Sequence, residues 1–448
     1  MIAHTNDRFC APDNLGHAPR PATRDDQDMT VSHPELVTPV AVSEVPAWLR
    51  AAAVTFLENP GGSEAQVWIE ATESNWDPER AWGVRDRDRW VATLRTEPRS
   101  VTVPGADGET RELAADALTA VTVAATHRRQ GWMSRMLDRS LAAARARGDA
   151  VSILIAAQWA IYGRFGYAPA TLGARYVLHR ERRGASVSGD LSRVRQVELD
   201  ELRAVAPAVF AAARRERAGQ VDRSATWWEL TLGTDRRQPL RGLPHNVLLH
   251  DGDDGPDGLL GWKATAEPSL SAPDGRVEVW ELATAGRSAY VDLWAYLTGL
   301  DGVSRITLPR RPVDEPIRWR LGDGRALERD QQLDFLWLRL LDVPAALAAR
   351  RYAIAGELVL EVTDPTTPVS VAGRYALHAE DDTVHCEPTR RPVDIALDQR
   401  ALAAAYLGGF AFGELAHVGL VQEHRAGALR RANLMFSTAP APWNATGF

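Results

Sequence analysis

Between Val121 and Ser134 the chain reads Val-Thr-Val-Ala-Ala-Thr-His-Arg-Arg-Gln-Gly-Trp-Met-Ser, with Arg128, Arg129, Gln130 and Gly131 near its centre. Residues of these types can hold a pyrophosphate, which needs several N–H donors, close approach of the backbone and a positive potential. A helix start behind a short loop of arginine and glycine offers all three. Gly131 admits the backbone without a Cβ collision, and Arg128 or Arg129 can add charge-assisted hydrogen bonds to phosphate. Taken alone, the four residues describe a solvated basic helix start equally well. Their setting narrows the choice. Val121, Thr122 and Val123 belong to a strand-like alternation, where exposed backbone amides can pair with the amides of an extended ligand arm, and Trp132, Met133 and Ser134 open a helical repeat. The next apolar run delivers Ala157, Gln158, Trp159 and Tyr162 to the same edge.

These residues require an α/β frame to position them. Gly131–Arg147 carries Met133, Met136, Leu137, Leu141 and Ala144 on one helical face, Gly148 ends it, and Val151–Ala157 suits a buried strand. Ala47–Leu57 reads as a helix with Pro46 in its first turn, Ala81–Arg95 as strand-like runs around a charged turn, and Ala117–Ala125 and Ala174–His179 as strands. These elements define a first folded segment, 34–183. Residues 1–33 ahead of it are polar and aperiodic, and read as a disordered tail with Met29 a plausible initiator. Arg183–Asp190 is a candidate linker.

A second α/β segment, 191–330, follows, with helices at Leu199–Arg217 and Ser288–Leu300 and strands at Gly258–Thr265, Val277–Ala283 and Arg305–Leu308. Its order of strand, Ala285-Gly286, helix and strand echoes the first segment but offers no equivalent of Arg128–Gly131. It reads as a degenerate duplicate that has lost cofactor binding. In the third segment, 332–448, Leu338–Ala349 reads as largely helical, Gly356–Val362 and Arg374–Ala379 as strands, and Asp398–Leu407 as a helix. Pro440, Pro442 and Trp443 lead into a short terminal peptide.

Composition bounds the function. A length of 448 residues with 45% hydrophobic and 25% charged residues suits a soluble multi-domain protein. A net charge of −7 argues against a nucleic-acid-binding face. Lys263 is the only lysine among 52 basic residues, which reflects codon composition more than phosphate recognition. Cys10 and Cys386 form neither a disulfide framework nor a metal spacing, so no metal is expected and a reducing cytoplasm fits. No apolar run reaches membrane-spanning length, and no membrane partner is expected.

Val121–Met133 resembles the acyl-CoA-binding signature, Arg/Gln-x-x-Gly-x-Gly/Ala, of the GNAT superfamily of N-acetyltransferases. Within it, Thr126-His-Arg-Arg, Ile161-Tyr-Gly-Arg-Phe-Gly-Tyr167 and Asp334–Ala349 are similar to the enhanced-intracellular-survival (Eis) acetyltransferases, so the resemblance covers nearly the whole chain after residue 34. It implies tandem GNAT-like domains, a C-terminal domain like sterol carrier proteins, acetyl-CoA as co-substrate, and a homo-oligomer, a hexamer. It also implies an acceptor among small multi-amine molecules such as aminoglycosides, with lysine side chains a further option. Tyr162 becomes the general acid, whereas Tyr167 is expected to be a buried aromatic with its hydroxyl satisfied. The α-carboxylate of Phe448, folded back into the site, becomes the base. Such a carboxylate has a reference pKa of about 3.3–3.7, so it acts directly if burial raises it, by orienting the ammonium, or through a water.

Four positions depart from the family pattern. Trp132 and Met133 stand where smaller residues are common. Trp159 stands where better-known members carry small residues, and is either part of the amine pocket, with a cation–π face, or core. Gly447 replaces an acidic residue of some relatives. Two other functions remain: a lipid or hydrophobic-ligand binder built on the third segment, and a catalytically inactive acyl-CoA sensor.

Overall fold

The computed structural model describes residues 33–106, 108–233, 246–266, 274–365, 369–380 and 383–448. Apart from His33, the tail expected at 1–33 lies outside them, and Cys10 with it. The first part of the chain forms β1 (Glu35–Val37), α1 (Val45–Thr55), α2 (Ser63–Glu73), β2 (Ala81–Asp86), β3 (Arg89–Pro104) and β4 (Thr110–Val123). There follow α3 (Trp132–Ala146), β5 (Val151–Ile155), α4 (Trp159–Tyr162) and β6 (Ala168–Pro169). Pro46 lies in the first turn of α1, where a missing N–H breaks no helical bond. Helix α3 buries Met136, Leu137, Leu141 and Ala144 in one cluster with Leu94, Leu118 and Leu154. Neighbouring residues on the same strands, Ala115, Ala117 and Ile153, turn into a second cluster on the opposite face.

The middle of the chain forms β7 (Leu172–His179), β8 (Val194–Gln196), α5 (Leu199–Ala213), α6 (Ala225–Leu232), β9 (Asn246–Gly252) and β10 (Gly255–Ala266). It continues with β11 (Gly275–Thr284), α7 (Arg287–Gly299), β12 (Val303–Pro312) and β13 (Leu327–Asp334). The last part forms β14 (Leu336–Leu340), α8 (Val343–Ala349), β15 (Gly356–Thr363), β16 (Gly373–Glu380) and β17 (Thr383–Pro388). After these come β18 (Ile395–Asp398), α9 (Gln399–Tyr406), α10 (Phe412–His417), β19 (Val421–Glu423) and α11 (Ala428–Phe436).

The sheets cross the segment limits read from the sequence at Arg183 and Gln332. The first, seven-stranded, has the order β1-β2-β3-β4-β5-β14-β6, and the second, also seven-stranded, β13-β7-β12-β11-β10-β9-β8. Strand β7 thus leaves the first segment for the second sheet, and β14 returns from the third segment to sit between β5 and β6. The five-stranded third sheet runs β17-β16-β15-β18-β19. The helix expected over Leu338–Ala349 is corrected: Leu336–Leu340 is strand β14, and α8 begins only at Val343, capped by Asp342 accepting from the Ala345 amide at 2.9 Å. All five residues of β14 are buried. A strand covered on both faces loses its alternation and resembles the apolar helix that follows it.

Arg339, in the middle of β14, is fully buried. Its guanidinium donates to the Phe165 and Val369 carbonyls and, at 3.2 Å, to Asp364 Oδ2 at the end of β15. Burial pulls its pKa below the usual value, and Asp364 opposes that shift. Asp364 also accepts from the Val371 amide at 3.0 Å. Removing one partner of such a pair strands the other charge in the interior. Asp364→Ala is therefore expected to cost about 3–5 kcal/mol, read as a lower denaturant midpoint at unchanged slope. Asp364→Asn, which keeps an acceptor, should cost clearly less.

Candidate active site

Strands β4 and β5 pair in parallel only from Ala115–Leu118 against Val151–Leu154. Beyond Leu118 the two part, and the β5-facing edge of β4 through Val121–Val123 is left without a strand partner. A bulge against β3 helps turn β4 aside: the register shifts between Thr93 and Arg95, and Ala120 adopts φ +52°. Thr93 fixes the bulge, its Oγ1 lying 2.8 Å from the Ala120 carbonyl and 2.6 Å from Thr122 Oγ1. The Val121–Val123 alternation pointed to the strand but gave no signal of the bulge or of Thr93.

After β4, Ala125–His127 makes one short turn, and His127 is tied to Asp86 at 3.2 Å and to Thr126 at 2.8 Å. Arg128 is extended, while Arg129 (φ +64°) and Gly131 (φ +79°) are left-handed, so the loop curls before α3 starts at Trp132. No side chain caps this helix. Its first-turn amides at Trp132, Met133 and Ser134 have no partner within the helix, and the loop 128–131 is exposed. The amides can therefore converge on an anion. Arg128 spends its Nε on the Val123 carbonyl at 3.2 Å. Arg129 makes no side-chain hydrogen bond or ion pair among the described residues and is the available cation. Gln130 Oε1 receives the Trp132 indole N–H at 3.1 Å. The bulk of Trp132 turns into the α3 core, 9% exposed, and so leaves the loop clear. Met133 is half-buried, with Arg164 against its sulfur at 3.7 Å.

Across the gap, Ala157, Gln158 and Trp159 are exposed where the chain leaves β5. Trp159 is 65% exposed, which excludes the core reading, and it stands edge-on against the buried Trp337 of β14 at 5.0 Å. Tyr162 ends α4. It is 7% exposed, burial pushes its hydroxyl up to about 12, and that hydroxyl has no hydrogen-bond partner among the described residues. Tyr167 contrasts with it, as expected: it is fully buried and its hydroxyl meets Ser152 Oγ at 2.7 Å. Between the two tyrosines, Gly166 (φ +80°) turns the chain directly beneath Arg339, where no Cβ would fit. The Ile161–Tyr167 string is thus a turn folded around a guanidinium from a distant strand. Arg339 escaped notice in the sequence, although a lone charge inside Leu-Trp-Leu-Arg-Leu was its signal.

The terminal peptide is anchored throughout. The Trp443 amide donates to the Ala218 carbonyl at 3.0 Å, Ala445 to Gln220 at 3.1 Å, and Asn444 Oδ1 accepts from Val221 at 3.2 Å. Thr446 Oγ1 donates to the Val221 carbonyl at 2.9 Å, and the Trp227 indole N–H to the Gly447 carbonyl at 3.0 Å. Segment 218–222 in turn lies along β3, with Thr102 and Ser100 as partners. Phe448 is half-buried and packs on the cluster that holds Ala115, Ala117 and Ile153, the face of the first sheet opposite α3.

The second sheet repeats the geometry but fills it. β11 and β12 pair in parallel over Gly275–Glu278 and then part. There Arg311 reaches across to the Leu282 carbonyl at 2.8 Å and binds Glu315 at 2.6 Å, and Tyr290 donates to the same carboxylate. At the start of α7 the carboxylate of Glu216 receives the Gly286 amide, and burial raises its pKa. A surface cavity of about 700 Å³ lies between β1 and α3, and of the expected site residues it touches only Trp132. No group of three or more His, Cys, Asp or Glu among the described residues is arranged to hold a metal.

Comparison with known proteins agrees with this architecture. Models described as an acetyltransferase (GNAT) domain match residues 37–170 and 219–340, and a sterol carrier protein domain matches 343–445. An N-acetyltransferase of Streptomyces avermitilis is 35% identical over 91% of this chain and 97% of its own length. The N-acetyltransferase Eis of Mycobacterium bovis is 33% identical over 72% of this chain and 77% of its own length. The crystal structure of Eis1 from Mycobacterium abscessus superposes with a TM-score of 0.77 at 27% identity, covering 93% of this chain and all of that one.

The loop geometry makes a direct prediction. Arg129→Ala removes the available cation, and Gly131→Ala forces a Cβ into φ +79°. Each should weaken binding of coenzyme A by about three- to tenfold, measured by calorimetry. Unchanged affinity in both would mean that the phosphates bind elsewhere.

Proposed function

From the premise that this chain belongs to the Eis family of GNAT N-acetyltransferases, and is an acetyl-CoA-dependent enzyme, we propose that it acetylates primary amines of small multi-amine molecules such as aminoglycosides, at more than one position. The observation that carries this reading is Tyr162, buried in one cluster with Leu118 and Leu154, the last paired residues of β4 and β5, with no hydrogen-bond partner for its hydroxyl among the described residues. In this reading the amides of 129–134 and Arg129 hold the pyrophosphate, and the open edge of Val121, Thr122 and Val123 holds the pantetheine arm. Ala157 and Gln158 close the other side. Acetyl-CoA supplies the activated acetyl group. The protein's own part is to place the amine, accept its proton and stabilise the departing sulfur.

Tyr162 performs the last of these tasks. With its hydroxyl near 12 it stays protonated at all working pH values. A thiol has a reference pKa of about 8.5, so complete proton transfer from this phenol to a thiolate runs uphill by about three to four units. Tyr162 accordingly acts by donating a hydrogen bond as charge develops on sulfur, and yields its proton only as that charge is neutralised. The Phe448 carboxylate is the acceptor or orienting group for the amine. Its support is the depth of the terminal anchoring, which a solvated tail would not require. Trp159, held edge-on by Trp337, offers an exposed indole face for an ammonium.

Assembly as a hexamer and a cytoplasmic location belong to the same proposal. Leu57 and Trp319, 95% and 85% exposed, are apolar side chains that an assembly would cover. No helix among the described residues is long and apolar enough to cross a membrane. The lipid-binding reading finds less support. The interior of the third domain is filled by its own Phe412 and Phe436, with the half-buried Tyr352 against them, the rings packed edge to face at 4.9–5.0 Å.

Tyr162→Phe should lower kcat by about 10²- to 10³-fold with little change in the KM for acetyl-CoA. Because the pKa is raised, the protonated form persists upward, so the wild-type kcat should show no alkaline decline between pH 8 and about 10. A decline there that disappears in Tyr162→Phe would contradict the buried, protonated phenol. Thiol release against aminoglycosides, polyamines and lysine peptides, with mass spectrometry counting the acetyl groups, tests the acceptor class. Products that never exceed one acetyl group would rule out multiple acetylation, and cofactor binding without turnover on any amine would favour the sensor.

A further inference from the structure

Arg223 lies in the second domain with its guanidinium over three aromatic rings: Phe210 at 3.6 Å, Trp227 at 3.9 Å and Trp228 at 5.1 Å. Phe210 belongs to α5 and the two tryptophans to α6. Glu281 of β11 faces the guanidinium at 2.7 Å, and both side chains are almost completely buried. Trp227 and Trp228 are themselves packed edge to face at 4.9 Å. The Trp227 ring is therefore fixed on two sides, by a cation on its face and by a second indole, which sets the direction of its N–H. That N–H points at the Gly447 carbonyl, 3.0 Å away. Arg223 itself reaches the neighbouring residue, with Nε 3.4 Å from Thr446 Oγ1.

A core cluster does not need this arrangement. A buried arginine stripped of water is costly unless its charge is compensated, and an all-apolar core would avoid the cost. Here the compensated cation orients one donor, and that donor holds the residue next to the chain's last. Residues 443–446 are bound to Ala218, Gln220 and Val221 on the same connection that leads into α6. The second domain thus grips five consecutive residues of a peptide that ends against the first sheet.

We propose that the second GNAT-like domain serves as a clamp for the terminal peptide, with Trp227, oriented by Arg223 and Glu281, as the positioning residue that sets where the Phe448 carboxylate stands. This rests on the reading of that carboxylate as proton acceptor. It gives the duplicated domain a task that its own filled cleft cannot supply, since the domain no longer needs to bind coenzyme to be required for turnover.

Trp227→Phe keeps an aromatic ring under Arg223 and deletes only the N–H, and Thr446→Val removes the hydroxyl beside it. Both are mild enough to fold. Each is expected to lower kcat by about tenfold, the worth of one well-aligned hydrogen bond, with the KM for acetyl-CoA unchanged. Each should also speed carboxypeptidase release of Phe448 from the native enzyme by a similar factor. In a chain lacking Phe448, Trp227→Phe should have no further effect on kcat, because the positioned group is gone. If release is not accelerated, the clamp is wrong whatever turnover does. If the kcat losses of Trp227→Phe and the deletion multiply, Trp227 acts by another route and the positioning role falls. Full kcat after deleting Phe448 would instead overturn the carboxylate's role as acceptor, while the release rates still decide the clamp.

Discussion

The guanidinium of Arg339 holds three parts of the molecule at once. It comes from a strand late in the sequence, receives the turn that carries Tyr162 and Gly166, and closes on Asp364 of the third domain. A fully buried ion pair is a poor source of net stability, because desolvating both partners consumes most of the attraction. It is a good source of specificity. The guanidinium donates to the Phe165 carbonyl, which ties the turn that carries Tyr162 to β14. The same strand supports Trp159 through Trp337, two residues from Arg339. Tyr162 and Trp159 therefore both depend on β14, which lies between β5 and β6 in the first sheet while β7 lies in the second.

That exchange changes what the three domains are for. The Tyr162 turn is braced by the third domain, through Arg339 and Asp364, and the terminal peptide by the second, through Trp227 and the 218–222 connection. The filled cleft of the second domain is consistent with this division. Arg311 crosses the gap between β11 and β12 and the Glu216 carboxylate occupies the helix start. The two features a coenzyme would use are thus satisfied internally. With its cleft filled, that domain still offers the surface to which the terminal peptide is hydrogen-bonded.

The candidate site was legible in the sequence to the extent that it was local. The loop at Arg128–Gly131, the helix that follows it and the Ile161–Tyr167 string are contiguous, and their residue types state what the backbone must do: left-handed turns, a free helix start, a buried phenol. The frame was less legible. Nothing in the alternation of Ala174–His179 or of Leu336–Leu340 names the sheet each joins, because strand pairing is set by distant partners. For β14, burial on both faces also erases the period that would mark a strand, so that Leu338–Leu340 reads as the start of the helix that follows. Thr93 is a third case, a single hydroxyl on an ordinary strand whose importance comes only from the bulge at Ala120 opposite.

The acceptor side differs from the donor side in how it is built. As proposed, the loop 128–131 holds the pyrophosphate through backbone amides and one cation, features that tolerate changes in surrounding side chains. The acceptor face depends on individual side chains, and here two of them depart from the family pattern. A Cβ on Gly447 would stand 3.5 Å from the Arg310 guanidinium, at ordinary contact distance. An acidic side chain at that position would therefore face Arg310 and share its charge with it, so the glycine removes an anion that was already partly neutralised. Trp159 adds a polarisable, uncharged face in place of a small residue. Together the two substitutions exchange point charge for an aromatic surface. An indole face attracts an ammonium through its ring quadrupole, an attraction that falls off more steeply with distance than that of a carboxylate and so acts only at close contact. With Trp159 facing the acceptor as proposed, recognition at that position rests on close contact of the ammonium with the indole more than on the acceptor's total charge.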